Sequence, residues 1–473
     1  MGYAKPYTYK MEDITRMIRT GPGIMFHIGD SLRDQQYDGQ SSVRAGCMFR
    51  AALTGLQVYN GVTGVVINGS QASTSSTVDV ATGQWRWNYL SAIAGVSANN
   101  ATTSTKAAAA GGFATLAGTA AGDFVMRYWL TAAGRAAHYG GDKFSSSAGC
   151  TAWKMGIVGI PGLASEWNGN GTLYNCDAND SGANQNTGSG NTTKTWNNAN
   201  IGSGYQTLAA YFPANRPVTA NNPMIGLAYG SVGGTSKINI IGTRIEAIGV
   251  RGWRHVAQAS SGLCWFHYDT TPYITDAAIE DWFKFSGIAD YADDTVVLWF
   301  NLGTNVSSGE YTKTQAQWVS YLTTLVTRVR TRATTAGVNA GRLAIVLSVP
   351  HNTVDWTANP STAASGYQNT QQGRSSTFYE TLEGAVYDFV TQQRAAGWII
   401  GMVNEYRLST PDSANSSTAA RPSTRDGTHW TLTGASEQMS RINQALSDCL
   451  APTVSTYVRR YITQSNRAFI APR

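Results

Sequence analysis

Ser31, Asp426 and His429 are the residue types that together cleave an ester or amide. A serine hydroxyl is a weak nucleophile until an imidazole takes its proton, and the imidazole keeps the right tautomer only when a carboxylate holds its other nitrogen. Asp426 and His429 are three residues apart, so both side chains can project from one turn, the carboxylate reaching Nδ1 while Nε2 faces the serine. Attack on a carbonyl creates an oxyanion that needs preorganised donors. The backbone N–H of Ser31, the backbone N–H of Gly252 and the side-chain amide of Asn305 are the candidates, with Gly249 as the rival of Gly252. Arg251, His255 and His351 are candidate substrate contacts: Arg251 for an anionic group, His255 at the pocket border three residues after Gly252, and His351 after a strand at the same sheet edge. His27, four residues before Ser31, reads as packing under the sheet.

These residues need a scaffold that gathers distant loops at one rim. Continuous apolar runs at 24–28, 245–250, 296–300, 343–349 and 398–403 read as five parallel strands buried on both faces. Trp318, Leu322, Leu325 and Val329 fall on one helical face, as do Phe378, Leu382, Ala385 and Phe389, with Gly337 and Gly397 as helix stops. A further helix after Thr433 turns Met439, Ile442, Leu446 and Cys449 inward. Alternating strands and helices imply a three-layer α/β/α domain. In such a sheet reactive groups collect at the carboxyl ends of the strands, where Ser31, Gly252 and Asn305 each follow one of the expected strands.

Charge density divides the chain. Only 15 of its 64 charged residues fall in the 178 positions from Asn60 to Lys237, where short β-like runs alternate with Gly, Ser and Asn turns. Residues 59–237 therefore read as an inserted all-β sandwich or jelly-roll-like domain. The α/β domain takes 21–58 and 238–450, between an N-terminal segment 1–20 and a tail 451–473. Trp85, Trp87, Trp129, Trp153, Trp167 and Trp196 lie in the insertion. Aromatic faces stack on pyranose rings and amides bond their hydroxyls, so this region is a candidate carbohydrate-binding domain.

Gly29-Asp30-Ser31-Leu32 after a strand, Gly252, Gly303-Thr304-Asn305, and Asp426-Gly427-Thr428-His429, in that order, resemble the four blocks of the SGNH (GDSL-type) hydrolases. The resemblance covers roughly 20–58 and 238–450 and implies their flavodoxin-like α/β/α fold and an esterase, lipase or carbohydrate deacetylase activity. The roles of Ser31, Gly252, Asn305, Asp426 and His429 are then the family's roles. Two positions depart from the pattern: Val306 stands where the family usually has Asp, and 221 residues separate Ser31 from Gly252, a gap the insertion explains.

Composition narrows the partners. A net charge of +6 over 473 residues, without a basic tract, argues against nucleic acid. No run of eighteen apolar residues and no N-terminal leader pattern occurs, so no membrane insertion is expected and the localisation stays open, virion-associated or extracellular. Five cysteines never spaced as C-x-x-C read as free thiols, and no metal or cofactor motif appears. The segment from Asp177 imitates a calcium loop, but its twelfth position is Gly188 where a bidentate Glu is required. The expected activity is a serine esterase that deacetylates a carbohydrate, acting on an acetylated glycan or small ester. The alternative is a phage tail-fibre or tailspike protein that keeps the hydrolase fold as a glycan-binding scaffold, as a homo-oligomer or particle component.

Overall fold

A computed structural model describes residues 7–30, 32–33, 55–68, 85–86, 101–103, 114–117, 124–129, 152–160, 171–177, 193–196, 206–213, 223–229, 237–259, 263–269, 274, 276–286, 293–351, 376–409, 430 and 432–450. Along the chain come strands β1 (Gly23–Gly29), β2 (Val62–Asn68), β3 (Lys237–Ile248), β4 (Trp253–Ala259), β5 (Thr295–Asn301), β6 (Leu343–Val349) and β7 (Ile399–Asn404). The longer helices are α1 (Glu12–Thr20), α2 (Asp276–Phe285), α3 (Gln315–Thr335), α4 (Ser376–Ala395) and α5 (Leu432–Leu450).

Six strands form a parallel ladder in the order β2-β4-β1-β5-β6-β7. Antiparallel strands close both sides: Thr8–Tyr9 on β7, and β3 on β2. β3 then pairs with Ala152–Ile160, and that strand with Gln206–Pro213, so the sheet is mixed. A second sheet of five antiparallel strands is built from Trp85–Arg86, Phe124–Trp129, Gly171–Asp177, Thr193–Trp196 and Pro223–Tyr229.

The class is α/β, but the second strand is corrected. Residues 245–250 are not parallel: Ile245–Ile248 end the antiparallel β3, and the parallel strand begins at Trp253. Val62–Asn68, read from sequence as part of the insertion, is hydrogen-bonded in parallel to β4.

Strand alternation sends side chains to two covered faces. Ile24, Phe26, Ile28, Val296, Leu298, Phe300, Ile345 and Leu347 pack with α2, α3 and α4. Met25, Val297, Trp299, Val346 and Val403 pack with α1, α5, Leu32 and Trp430. At roughly 1.5–3 kcal/mol for each large apolar side chain buried, this two-sided core holds the rims of the sheet rigid. The helices start and stop on local signals. Thr314 caps α3 in a capping box with Gln317, and Gly337 follows its end at φ +103°, a left-handed conformation suited to glycine.

Two polar pairs are buried among these apolar rows. Glu246 on β3 and Arg254 on β4 meet at 2.8 Å across β2, where the residue between them is Gly64. On the other face His27 Nε2 and His255 Nδ1 are 2.7 Å apart, so one ring donates and the other accepts. Burial holds both imidazoles neutral, pushing His255 down to about 3 and His27 well below its usual value, the latter helped by His255 and Arg33.

An unfolded histidine titrates near pH 6.5, so in acid the unfolded chain binds protons that the folded one refuses, and stability falls as pH drops below about 6.5. For His255 the loss between pH 7 and 5 amounts to about 2 kcal/mol. Urea unfolding of His255→Leu should therefore show a pH 7-to-5 loss smaller by about that amount; an identical loss in variant and wild type would refute it.

Candidate active site

The strand order reverses direction between β1 and β5, because the chain leaves β1 toward the β2 side and leaves β5 toward β6. Ligands of open α/β sheets bind at the carboxyl ends of the strands at such a switch point. Gly29, Ala259 and Asn301 lie level in register there, which sets the loops after β1, β4 and β5 side by side.

After β1, Asp30 is buried and its Oδ1 accepts the N–H of Leu32 at 3.0 Å, while its carbonyl accepts the N–H of Arg33 at 3.1 Å. Both bonds bracket position 31. Gly29 cannot carry a side chain, because a Cβ would stand 2.7 Å from Arg33 Cγ and 3.0 Å from the Asn301 carbonyl oxygen. Ser31, Asp426 and His429 lie outside the described residues. Their neighbours do converge: Leu32 and Trp430 belong to one buried cluster, and Trp430 packs on the His351 ring at 4.3 Å between centroids.

After β5, Gly303 adopts φ +123° and Asn305 follows, half-buried. Its Nδ2 is buried and meets no hydrogen-bond acceptor among the described residues. A buried amide without a partner is costly unless something else uses it, which is the condition of a donor reserved for a ligand oxygen.

After β4, Trp265 Nε1 donates to the Leu302 carbonyl at 3.1 Å and Phe266 N–H donates to Glu310 Oε1 at 2.7 Å, fastening this segment to the Asn305 loop. Burial pushes the Glu310 carboxyl up to about 7, against the bonds from Ser307 and Phe266 that lower it. Burial, and then the nearby Asp30 carboxylate, push the Tyr268 hydroxyl above its usual value.

Underneath lies a closed polar cluster. Glu405 Oε1 accepts from Arg33 at 2.7 Å, from Ser348 Oγ at 2.7 Å and from Asn301 Nδ2 at 3.0 Å. Ser348 Oγ in turn accepts from Trp299 Nε1 at 2.8 Å. One carboxylate thus ties the turn after β1 to the ends of β5, β6 and β7.

Four expected positions move. Gly252 precedes β4, and its carbonyl accepts from the N–H of Gly23 at the start of β1. It therefore sits at the amino-terminal rim, a strand length of about 20 Å from the level of Gly29. Gly249 is at the same end, just beyond β3 at φ +88°. Arg251 is there too, ion-paired to Asp294 at 2.8 Å. His255 is fully buried inside β4 against His27. His351 does stand at the carboxyl rim, buried against Trp430. Sequence reading also missed Glu310 and Glu405. The Ser307-x-x-Glu310 spacing of a capping box was a usable signal for the first. For Glu405 there was none, since its partners lie 57 to 372 residues away. Among the described residues no group of three or more His, Cys, Asp or Glu could hold a metal ion, and no helix is long and apolar enough to cross a membrane.

No family model and no curated protein matches the chain. Among solved structures it is similar to a peptidoglycan O-acetylesterase, at 14% identity over 93% of this chain and 95% of the other, with a TM-score of 0.47. It is also similar to Est24, a carbohydrate acetylesterase from Sinorhizobium meliloti, at 12% identity over 42% and 79% of the two chains and a TM-score of 0.29. A third is the aryl esterase of M. smegmatis, at 13% identity over 42% and 78% and a TM-score of 0.27. At these TM-scores the likenesses decide neither fold nor function.

Proposed function

We propose that the chain is a serine ester hydrolase of the SGNH kind that removes acetyl groups from a glycan. The observation that carries this reading is the buried, unpartnered Nδ2 of Asn305 on the loop beside the Asp30 turn, at the switch point of the sheet. Supporting it are the order of the blocks at Gly29–Leu32, Gly303–Asn305 and Asp426–His429 and the shared cluster of Leu32 and Trp430, the chain neighbours of Ser31 and His429.

In this mechanism Asp426 fixes the His429 tautomer, and His429 takes the Ser31 proton as Ser31 attacks the ester carbonyl. Asn305 Nδ2 and the backbone N–H of Ser31 stabilise the oxyanion. The third donor, assigned from sequence to Gly252, passes to Gly262, the first glycine after the carboxyl end of β4. His429 then gives that proton to the sugar oxygen as its bond to the acyl carbon breaks, and later activates the water that releases acetate. The charge-poor, Trp- and Asn-rich region 69–236 is, in this proposal, an inserted domain that holds the polymer.

Three measurements test it. Wild-type protein should hydrolyse p-nitrophenyl acetate and gain the mass of a fluorophosphonate label; neither occurring would end the esterase reading. Acetate release from acetylated polysaccharides should exceed fatty-acid release from long-chain esters, and the reverse preference would end the glycan reading. Asn305→Ala should lower kcat about 10²- to 10³-fold with little change in KM, since its amide bonds the oxyanion and not the ground state.

A further inference from the structure

Glu310 does more than cap a helix. A capping-box glutamate ordinarily reaches back to one N–H from an exposed first turn. Here the side chain is buried, at 1% exposure, and its two oxygens serve different loops. Oε2 accepts the N–H of Ser307 at 2.7 Å, two residues beyond Asn305, and Oε1 accepts the N–H of Phe266 at 2.7 Å, four residues beyond Gly262. The Trp265–Leu302 bond and the Trp265 ring stacked on Phe300 make the same junction from the apolar side.

We propose that Glu310 is a positioning residue for the oxyanion hole, setting the spacing between the loop that follows β4 and the loop that carries Asn305. The inference rests on the esterase reading above, in which those two loops each supply a donor. Such donors act only when held within a fraction of an ångström of the developing charge, so a bridge spanning both loops governs kcat more than KM.

The bridge needs an accepting oxygen facing each of the two N–H donors, and the carboxylate supplies both. Protonation turns one oxygen into a donor that opposes an N–H. Burial brings that protonation to about pH 7, with Lys313 drawing the carboxyl down. Tyr321 on α3, its hydroxyl pushed up by burial and then by Glu310, Asp269 and Cys264, and His267 beside Phe266 are further titratable groups at the junction among the described residues. Glu310→Gln imitates the protonated bridge at every pH.

The test is kcat and KM for p-nitrophenyl acetate between pH 5.5 and 9 in wild type and E310Q. At pH 8.5 E310Q should lose about tenfold or more in kcat with KM within about twofold, and the ratio of wild type to variant should shrink as pH falls through 7. Equal kcat at pH 8.5, or a ratio that does not change with pH, overturns the proposal. No turnover by the wild type would remove both this inference and the esterase reading, whereas wild-type turnover that E310Q leaves intact removes this one alone. If E310Q does not fold, Glu310→Asp, which lacks the reach to both loops, takes its place; the same loss at pH 8.5 is expected and its absence is fatal. Amide hydrogen exchange of the wild type gives a reading without any variant: slow exchange at Phe266 and Ser307 supports the bridge, and fast exchange refutes it.

Discussion

Ser31→Ala should abolish ester turnover, with a loss in kcat on the order of 10⁶-fold and no fluorophosphonate adduct. The magnitude follows from what a hydroxyl contributes in this chemistry. Without Oγ there is no acyl-enzyme, and what remains is the binding energy and the oxyanion donors acting on water. Among the described residues the turn is bonded by the Asp30 carboxylate and carbonyl to the N–H groups of Leu32 and Arg33, and neither bond uses the serine side chain. The variant should therefore melt at the wild-type temperature. In the proposed mechanism nucleophile and base act as a unit, so His429→Ala should cost about as much, and the double variant hardly more. Turnover by Ser31→Ala within tenfold of the wild type would remove Ser31 from the mechanism.

Glu405→Ala should be the most damaging single change to stability, lowering the unfolding free energy by about 3–5 kcal/mol in urea titrations. Arg33 and Glu405 are each 1% exposed, so losing the carboxylate strands a guanidinium away from water. Asn301 and Ser348 lose an acceptor in the same stroke. Replacing both charges, as Arg33→Met with Glu405→Leu, should cost less than Glu405→Ala alone, because it leaves no buried ion without a counter-charge. A loss under about 1 kcal/mol for Glu405→Ala would show that water reaches Arg33.

The residues themselves show why part of this molecule was legible. β1, β5, β6 and β7 are largely apolar, β1 being broken by His27 alone and β6 by Ser348, and their helices carry Trp318, Leu322 and Phe389 at turn spacing, so four of the six parallel strands could be read directly. β4 could not. Its sequence Trp253-Arg-His-Val-Ala-Gln-Ala259 places a charge and an imidazole where a buried strand should be apolar, and both are tolerated only because Glu246 and His27 meet them from other strands. The neighbouring apolar stretch at 245–250 took its place in the reading. That single displacement carried Gly252, Arg251 and His255 to the wrong rim. β2 hid for a related reason, since Gly64 interrupts its apolar run to leave room for the ion pair that crosses it.

The antiparallel strand β3 limits how the molecule can be cut down. It pairs with the outer side of β2 from Gly64 to Asn68, just as Thr8–Tyr9 pairs with β7 at Met402 and Val403, so both margins of the parallel ladder are partly covered within the chain. It also brings the carboxylate that neutralises Arg254. A minimal catalytic fragment made by joining β2 directly to β4 would leave a sticky margin and an orphaned cation in one excision. A truncation that ends the deletion before Lys237 would keep both safeguards.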